Sequence, residues 1–270
     1  MNNFTQVFQR VEKKYLLTEY QYHAIRRLLA KTARVDSYGE SSILNIYYDT
    51  PDFRLIRTSI DGPAYKEKLR LRSYGVPSDD TTSFIEIKKK YKGVVYKRRI
   101  DMPYRQAVDF LNPEGQPAGG QAAACCPALS DKAAEEQIRR EISWFFSLYP
   151  HLAPRMVISY DRIAMAGITD PDFRVTFDRN IRWRTTDLDL EKGNGGMEIL
   201  QPGMRLMELK IRGAADLDLA RQMSRLHIFP VSFSKYGRGY LAMLGGQRTG
   251  YQSRSAMLPD LLGPAAEAAI

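Results

Sequence analysis

Apolar and charged residues alternate with period two along much of this chain. Successive side chains of an extended strand point to opposite faces. Lys66, Lys68, Arg70 and Arg72 therefore share one face of a strand, and Leu69 and Leu71 take the other. Similar alternation predicts strands over residues 10–17, 43–49, 65–74, 83–90, 94–102, 156–162, 173–177 and 205–212, with a further short strand within 182–203. Asp61-Gly62 reads as a hairpin-type turn and Gly93 as another turn. Period 3.6 appears elsewhere. Thr18 caps an amphipathic helix running to about Lys31, and residues 104–111 make a short helix. Residues 131–148 carry Ile138, Ile142, Phe145 and Phe146 on one side, and Pro150 stops that helix. Residues 216–226 form another helix, and 240–244 a final helical turn. There is no βαβ alternation. The expected class is α+β: a closed antiparallel β-barrel of about eight strands, which removes its sheet edges, with helices packed outside.

The charged faces repeat. Glu86, Lys88 and Lys90 oppose Ile85 and Ile87; Glu208, Lys210 and Arg212 oppose Leu209 and Ile211. Arg174, Thr176 and Asp178 oppose Val175 and Phe177; Tyr160 and Arg162 share a face, as do Arg10, Glu12 and Lys14. An ordinary small barrel fills its interior with apolar side chains. Here the amphipathic helices can cover the apolar faces, leaving the charged ones to line a lumen. Charges inside are costly unless paired or ligand-bound, and four cations on one strand face call for a polyanion. Alternation does not give direction, so either Lys97 and Arg99 or Arg98 points inward. Tyr47 and Asp49 either touch the lumen or shape the turn after them. Lys89, Lys90 and Lys92 form either a solvated run or a basic entrance. Tyr236 either packs or stacks on a base.

Composition sharpens this picture. The chain has 270 residues, a net charge of +9 and 44% apolar residues. Residues 66–99 hold eleven Lys/Arg against four acids, so the charge is concentrated where the cationic face lies. An anionic partner follows, and an enclosed lumen cannot admit a nucleic-acid duplex. Cys125 and Cys126 are adjacent and have no metal-ligand spacing. His23, His151 and His227 fall in or beside helices, away from the charged strands. With no signal-peptide core and no apolar run of membrane-spanning length, the expectation is a soluble cytoplasmic protein. Residues 1–245 are expected to form the tunnel domain, with 112–130, rich in Pro, Gly and Ala, a mobile insertion and 246–270 a flexible tail.

Several short motifs, in this order, resemble the VTC domain of the triphosphate tunnel metalloenzyme superfamily. They are R-x-E-x-K-Y at 10–15, Y-Y-D-T-P at 47–51, K-L-R-L-R at 68–72, E-I-K at 86–88 and S-Y-D-R at 159–162. F-R-V-T-F-D at 173–178, M-E-L-K at 207–210 and F-S-K-Y at 233–236 continue the series. The resemblance implies a tunnel lined by basic residues and a polyphosphate polymerase activity, in which the γ-phosphate of ATP passes to a growing inorganic polyphosphate chain. Matching positions imply phosphate-binding, catalytic roles for Lys14, Arg70, Arg72, Lys88, Arg162 and Arg174. They imply substrate contacts from Lys68, Tyr160, Lys210 and Lys235. A divalent metal, Mn or Mg, would sit on Glu208, with Glu12 and Glu86 nearby. The wider superfamily usually opens E-x-E-x-K; Arg10 replaces the first Glu, which thins the metal site and turns the reading away from a cyclase or hydrolase. Eukaryotic VTC proteins carry membrane helices that this sequence lacks, which leaves any membrane role to a partner protein. A triphosphatase and a non-catalytic polyphosphate-binding module are the alternatives.

Overall fold

In chain order the strands are β1 (Arg10–Leu17), β2 (Ala33–Asp49), β3 (Tyr65–Tyr74), β4 (Thr82–Tyr91), β5 (Val94–Pro103), β6 (Ala153–Gly167), β7 (Arg174–Arg184), β8 (Met197–Glu198) and β9 (Arg205–Arg212). The helices are α1 (Glu19–Leu29), α2 (Arg54–Asp61), α3 (Tyr104–Phe110), α4 (Leu129–Leu148), α5 (Leu217–Arg225) and α6 (Lys235–Gln247). The structure is a computed structural model describing residues 10–92, 94–112, 129–170, 172–212 and 216–247. The expected Gly93 turn, residues 113–128 of the insertion with both cysteines, and the tail beyond residue 247 lie outside these.

One antiparallel sheet runs in the order β1-β9-β7-β6-β2-β3-β4-β5, with β8 added to β7. This corrects the expected closed barrel: β1 and β5 end the path and do not pair with each other among the described residues. The reason lies at the edge of β1. There the Val231 N–H donates to the Lys14 carbonyl at 2.7 Å, so the chain leading into α6 lies along this strand. The same segment reaches β3, because Lys14 Nζ donates to the Phe233 carbonyl (2.9 Å) and Lys68 Nζ to Ser234 Oγ (3.0 Å). The gap between the two wings of the sheet is bridged by this segment rather than by a strand pair.

Local chemistry explains most elements. Thr18 and Gln21 form a capping box at the start of α1, each side chain bonding the other's backbone N–H. The Asp49 carboxylate accepts the N–H groups of Leu55 and Ile56, which starts α2. That helix was not expected. Asp61-Gly62 ends it, with Gly62 left-handed (φ 75°), because the same dipeptide serves a helix end and a hairpin turn. β2 begins ten residues earlier than its apolar run, and its register with β6 shifts between Val35 and Glu40. Helix α6 begins at Lys235, five residues before the expected turn, since Gly237 and Gly239 dilute its apolar period.

The convex side of the sheet carries two apolar layers. Leu69, Leu71, Ile85 and Ile87 pack beneath Ile142 and Phe145 of α4 and Ala107 of α3. Val175, Phe177, Met207 and Leu209 pack beneath Ile25 of α1 and Leu219 of α5. A third layer lies on the concave side, where Tyr236 and Tyr240 of α6 and Ile56 of α2 cover Ile158, Ile181 and Trp183. Helices therefore do not all lie outside. A bulge creates this division: the β6–β7 register shifts between Ser159 and Asp161, opposite Asn180 at φ 50°. Before the bulge β7 turns Thr176 and Asp178 inward; after it, Ile181 and Trp183.

Candidate active site

Strand β3 supplies the first group of cations. Leu69 and Leu71 are fully buried on the convex side, which forces Lys68, Arg70 and Arg72 onto the concave one. Glu86 of β4 lies in register with Arg70 and gathers three positive charges. Arg70 Nη2 approaches it to 2.6 Å, Arg72 Nη1 to 3.6 Å and Lys97 Nζ to 2.5 Å. Burial opposes the charged form of Glu86, but Arg70, Arg72 and Lys97 outweigh it and hold the carboxyl at about 2. Neutral groups complete the array: Tyr47 OH accepts from Arg70 Nη1 (3.0 Å), Asn45 Oδ1 from Arg72 Nε (2.9 Å) and Tyr160 OH from Arg72 Nη2 (3.4 Å).

A second group forms on β1, β6, β7 and β9. Arg162 binds Asp178 through two parallel hydrogen bonds of 2.6 and 2.8 Å. Lys235, at the start of α6, reaches Asp178 at 2.6 Å and Glu208 at 3.0 Å. Glu208 also lies 3.6 Å from both Lys14 and Arg162. Burial works against ionised Glu208, yet Lys235, Lys14 and Arg162 drive its carboxyl well below the usual range. Tyr160 is pushed down in spite of burial, by Arg72, Arg162 and Lys235.

Lys68 and Lys88 lie between these groups. Neither has a carboxylate at ion-pair distance among the described residues. Burial first, then Lys88, Lys14, Lys66 and Arg70, bring the Lys68 ammonium down to about 7. Burial also lowers Lys88, while Glu12 partly offsets it. Eight cations (Lys14, Lys68, Arg70, Arg72, Lys88, Lys97, Arg162, Lys235) thus face four acids (Glu12, Glu86, Asp178, Glu208), and the surplus is concentrated on two lysines. Such a surplus is suited to a polyanion.

Of the expected residues, Lys14, Lys68, Arg70, Arg72, Lys88, Tyr160, Arg162, Glu208 and Lys235 come together on the concave side. Arg174 is exposed, in register with Lys210. Lys210 is itself only half-buried, 3.8 Å from Glu12. The three acids expected to share a metal do not form a three-ligand cluster among the described residues. Glu86 and Glu208 each stand among three cations, and Glu12 and Glu208 flank Lys14 at 3.7 and 3.6 Å. A hard divalent ion often uses one or two carboxylates and completes its shell with substrate phosphates. Glu12 and Glu208 fit such an ion arriving with phosphate through their shared position beside Lys14; Glu86 shares no cation with either among the described residues. Asp178 had no assigned role in the sequence, although it shares a face with Arg174 and ends the F-R-V-T-F-D motif. Lys97 and Arg99 take the inward face of β5, Lys97 on Glu86 and Arg99 over the Phe84 ring at 4.9 Å, and Arg98 turns out to Glu141 on α4 at 3.2 Å.

The family model for the VTC domain matches residues 9–244. The chain belongs to the VTC domain family. No curated protein matches it. Among solved structures, this VTC domain is similar to a candidate adenylate cyclase from Vibrio parahaemolyticus, with 14% identity, a TM-score of 0.44, and 88% of this chain and 98% of the other covered. It is also similar to a candidate adenylyl cyclase from Hippeastrum described as having a dominant triphosphatase activity, with 10% identity, a TM-score of 0.45, and coverage of 87% and 96%. These likenesses are too distant to bear on chemistry.

Proposed function

We propose that this VTC domain is an ATP-dependent polyphosphate polymerase that moves the γ-phosphate of ATP onto the end of an inorganic polyphosphate chain. The observation that supports the reading best is the pair Lys68 and Lys88, half-buried cations without acids of their own at ion-pair distance among the described residues, set between two ion clusters. Phosphoryl transfer depends chiefly on positioning and on neutralising charge. Arg70, Arg72 and Arg162 offer planar donors to phosphate oxygens, and their acids hold each guanidinium in place. Lys68, Lys88 and Lys235 act as point charges on the chain. The terminal phosphate of the acceptor is largely ionised near neutral pH and attacks without a general base. A bond forms from its oxygen to Pγ, the bond from Pγ to the β-phosphate oxygen breaks, and ADP leaves with the negative charge. A divalent ion held with the phosphates by Glu208 and Glu12 would supply further charge neutralisation. The reading places the protein in the cytoplasm with ATP; no described helix is long and apolar enough to cross a membrane.

The test is incubation of the purified protein with ATP, Mg²⁺ or Mn²⁺ and a short polyphosphate primer, with products resolved by size. Chain growth matched by ADP release is expected. Release of free phosphate at the rate of nucleotide loss, with no growth, would replace the polymerase by a triphosphatase. Affinity without turnover would leave a binding module.

A further inference from the structure

Two tyrosines from separate motifs meet beside the phosphate-binding array. The ring of Tyr47, from Y-Y-D-T-P, stacks on that of Tyr236, from F-S-K-Y, with centroids 4.3 Å apart and planes 13° from parallel. The Tyr236 hydroxyl donates to Asp49 Oδ2 at 2.9 Å. Asp49 is fully buried and also accepts the N–H groups of Thr50, Leu55 and Ile56. One carboxylate thus ties the end of β2, the start of α2 and the start of α6.

The opposite side of this stack faces the charges. Tyr47 OH accepts from Arg70, and Lys68 Nζ lies 6.0 Å from the centre of the Tyr236 ring. The two residues before Tyr236 carry site contacts: Ser234 Oγ accepts from Lys68, and Lys235 bridges Asp178 and Glu208. The first turn of α6 bonds mainly to itself, with the N–H groups of Gly237 and Arg238 on Ser234. The Tyr236 hydroxyl adds a directional hydrogen bond to the end of β2, beside the ring stack and the apolar cover that α6 lays over β6 and β7. Burial and Asp49 raise the Tyr236 phenol far above its ordinary value, so it remains a donor at any working pH.

We infer that the Tyr236–Asp49 hydrogen bond is a register pin, making Tyr236 and Asp49 positioning residues that hold Ser234 and Lys235 against the phosphate-facing cations. The inference rests on reading the concave face as a phosphate-chain site. A buried core tyrosine would also need a hydroxyl partner, so the test must separate positioning from packing.

Tripolyphosphate binding by calorimetry, which needs no turnover, makes that separation. Tyr236→Phe keeps the ring stack and is expected to lower the melting temperature modestly and to weaken affinity roughly tenfold. Asp49→Asn alters the acceptor instead of the donor and is expected to weaken binding similarly; it answers if the first variant does not fold. In a Lys235→Met background the Tyr236→Phe loss should shrink to about threefold or less, because only Ser234 is left for the pin to place once the ammonium is gone. A folded Tyr236→Phe protein with wild-type affinity overturns the inference. So does an undiminished loss in the Lys235→Met background, which would assign Tyr236 to packing. If the wild type binds no tripolyphosphate, the phosphate reading falls first and the pin with it.

Discussion

Glu86→Gln should destabilise the fold by about 3–5 kcal/mol, the cost of removing one partner from a buried ion cluster. The side chain of Glu86 is 1% exposed and stands within 3.6 Å of Arg70, Arg72 and Lys97. Glutamine keeps the shape and removes the charge. Arg70 then retains Tyr47, and Arg72 retains Asn45 and Tyr160, but neither keeps a carboxylate. A polyanion should replace part of what is lost. Ligand stabilisation grows with affinity, so saturating tripolyphosphate is expected to raise the urea midpoint of the variant more than that of the wild type. The pH dependence has a definite sign. The carboxyl of Glu86 is lowered from 4.5 to about 2, so its contribution is present above about 4.5 and is lost as pH falls toward 2. The variant should lack that acid-sensitive component. Equal stability of the two proteins, or an equal shift with ligand, would mean that Glu86 does not hold the cation array together.

The charged faces were legible because period two assigns faces without knowledge of register. Lys68, Arg70 and Arg72 had to stand together once Leu69 and Leu71 were placed in the core. Partner choice was not legible, because it depends on how strands slide past one another. Lys97 faces inward because it lies in register with Lys88, and Glu86 meets Arg70 for the same reason. No spacing along the chain carries that information. The resemblance implied that Glu86 stands near a metal; which cations gather around that carboxylate from β3 and β5 depends on register. Phase is a second limit. Asn180 adds one residue to β7, so counting by twos from Asp178 would place Asn180 inward and Ile181 outward, the reverse of the observed side for Ile181. Sheet closure is a third limit. It rests on residues 231–236, V-S-F-S-K-Y, whose alternation is too short to read as an edge segment, and which nevertheless join β1 to β3.

Lys68→Met should make the protein more stable near neutral pH and worse at its task. Half-buried without a carboxylate at ion-pair distance and faced by Lys14 of β1, Lys66 and Arg70 of β3 and Lys88 of β4, the Lys68 ammonium is brought down to about 7, against 10.5 in an unfolded chain. Between those values the folded protein binds fewer protons than the unfolded one, so this group adds stability as pH rises from about 7 to 10.5 and removes it as pH falls back. Methionine abolishes the penalty. A raised melting temperature, and a flatter stability profile above pH 7, are expected. Binding has the opposite sign. A polyphosphate chain brings negative charge to Lys68 and raises its proton affinity, so complex formation above about pH 7 takes up a proton. Wild-type affinity should then fall by up to about tenfold per pH unit through this window. Lys88 and Lys97, also lowered chiefly by burial, add to the slope, so Lys68→Met is expected to reduce proton uptake by about one and not to eliminate it. Calorimetry in two buffers of different ionisation enthalpy measures that uptake directly. An unchanged proton count in the variant would show that Lys68 is already charged before the ligand arrives, and that the surplus of positive charge is compensated elsewhere.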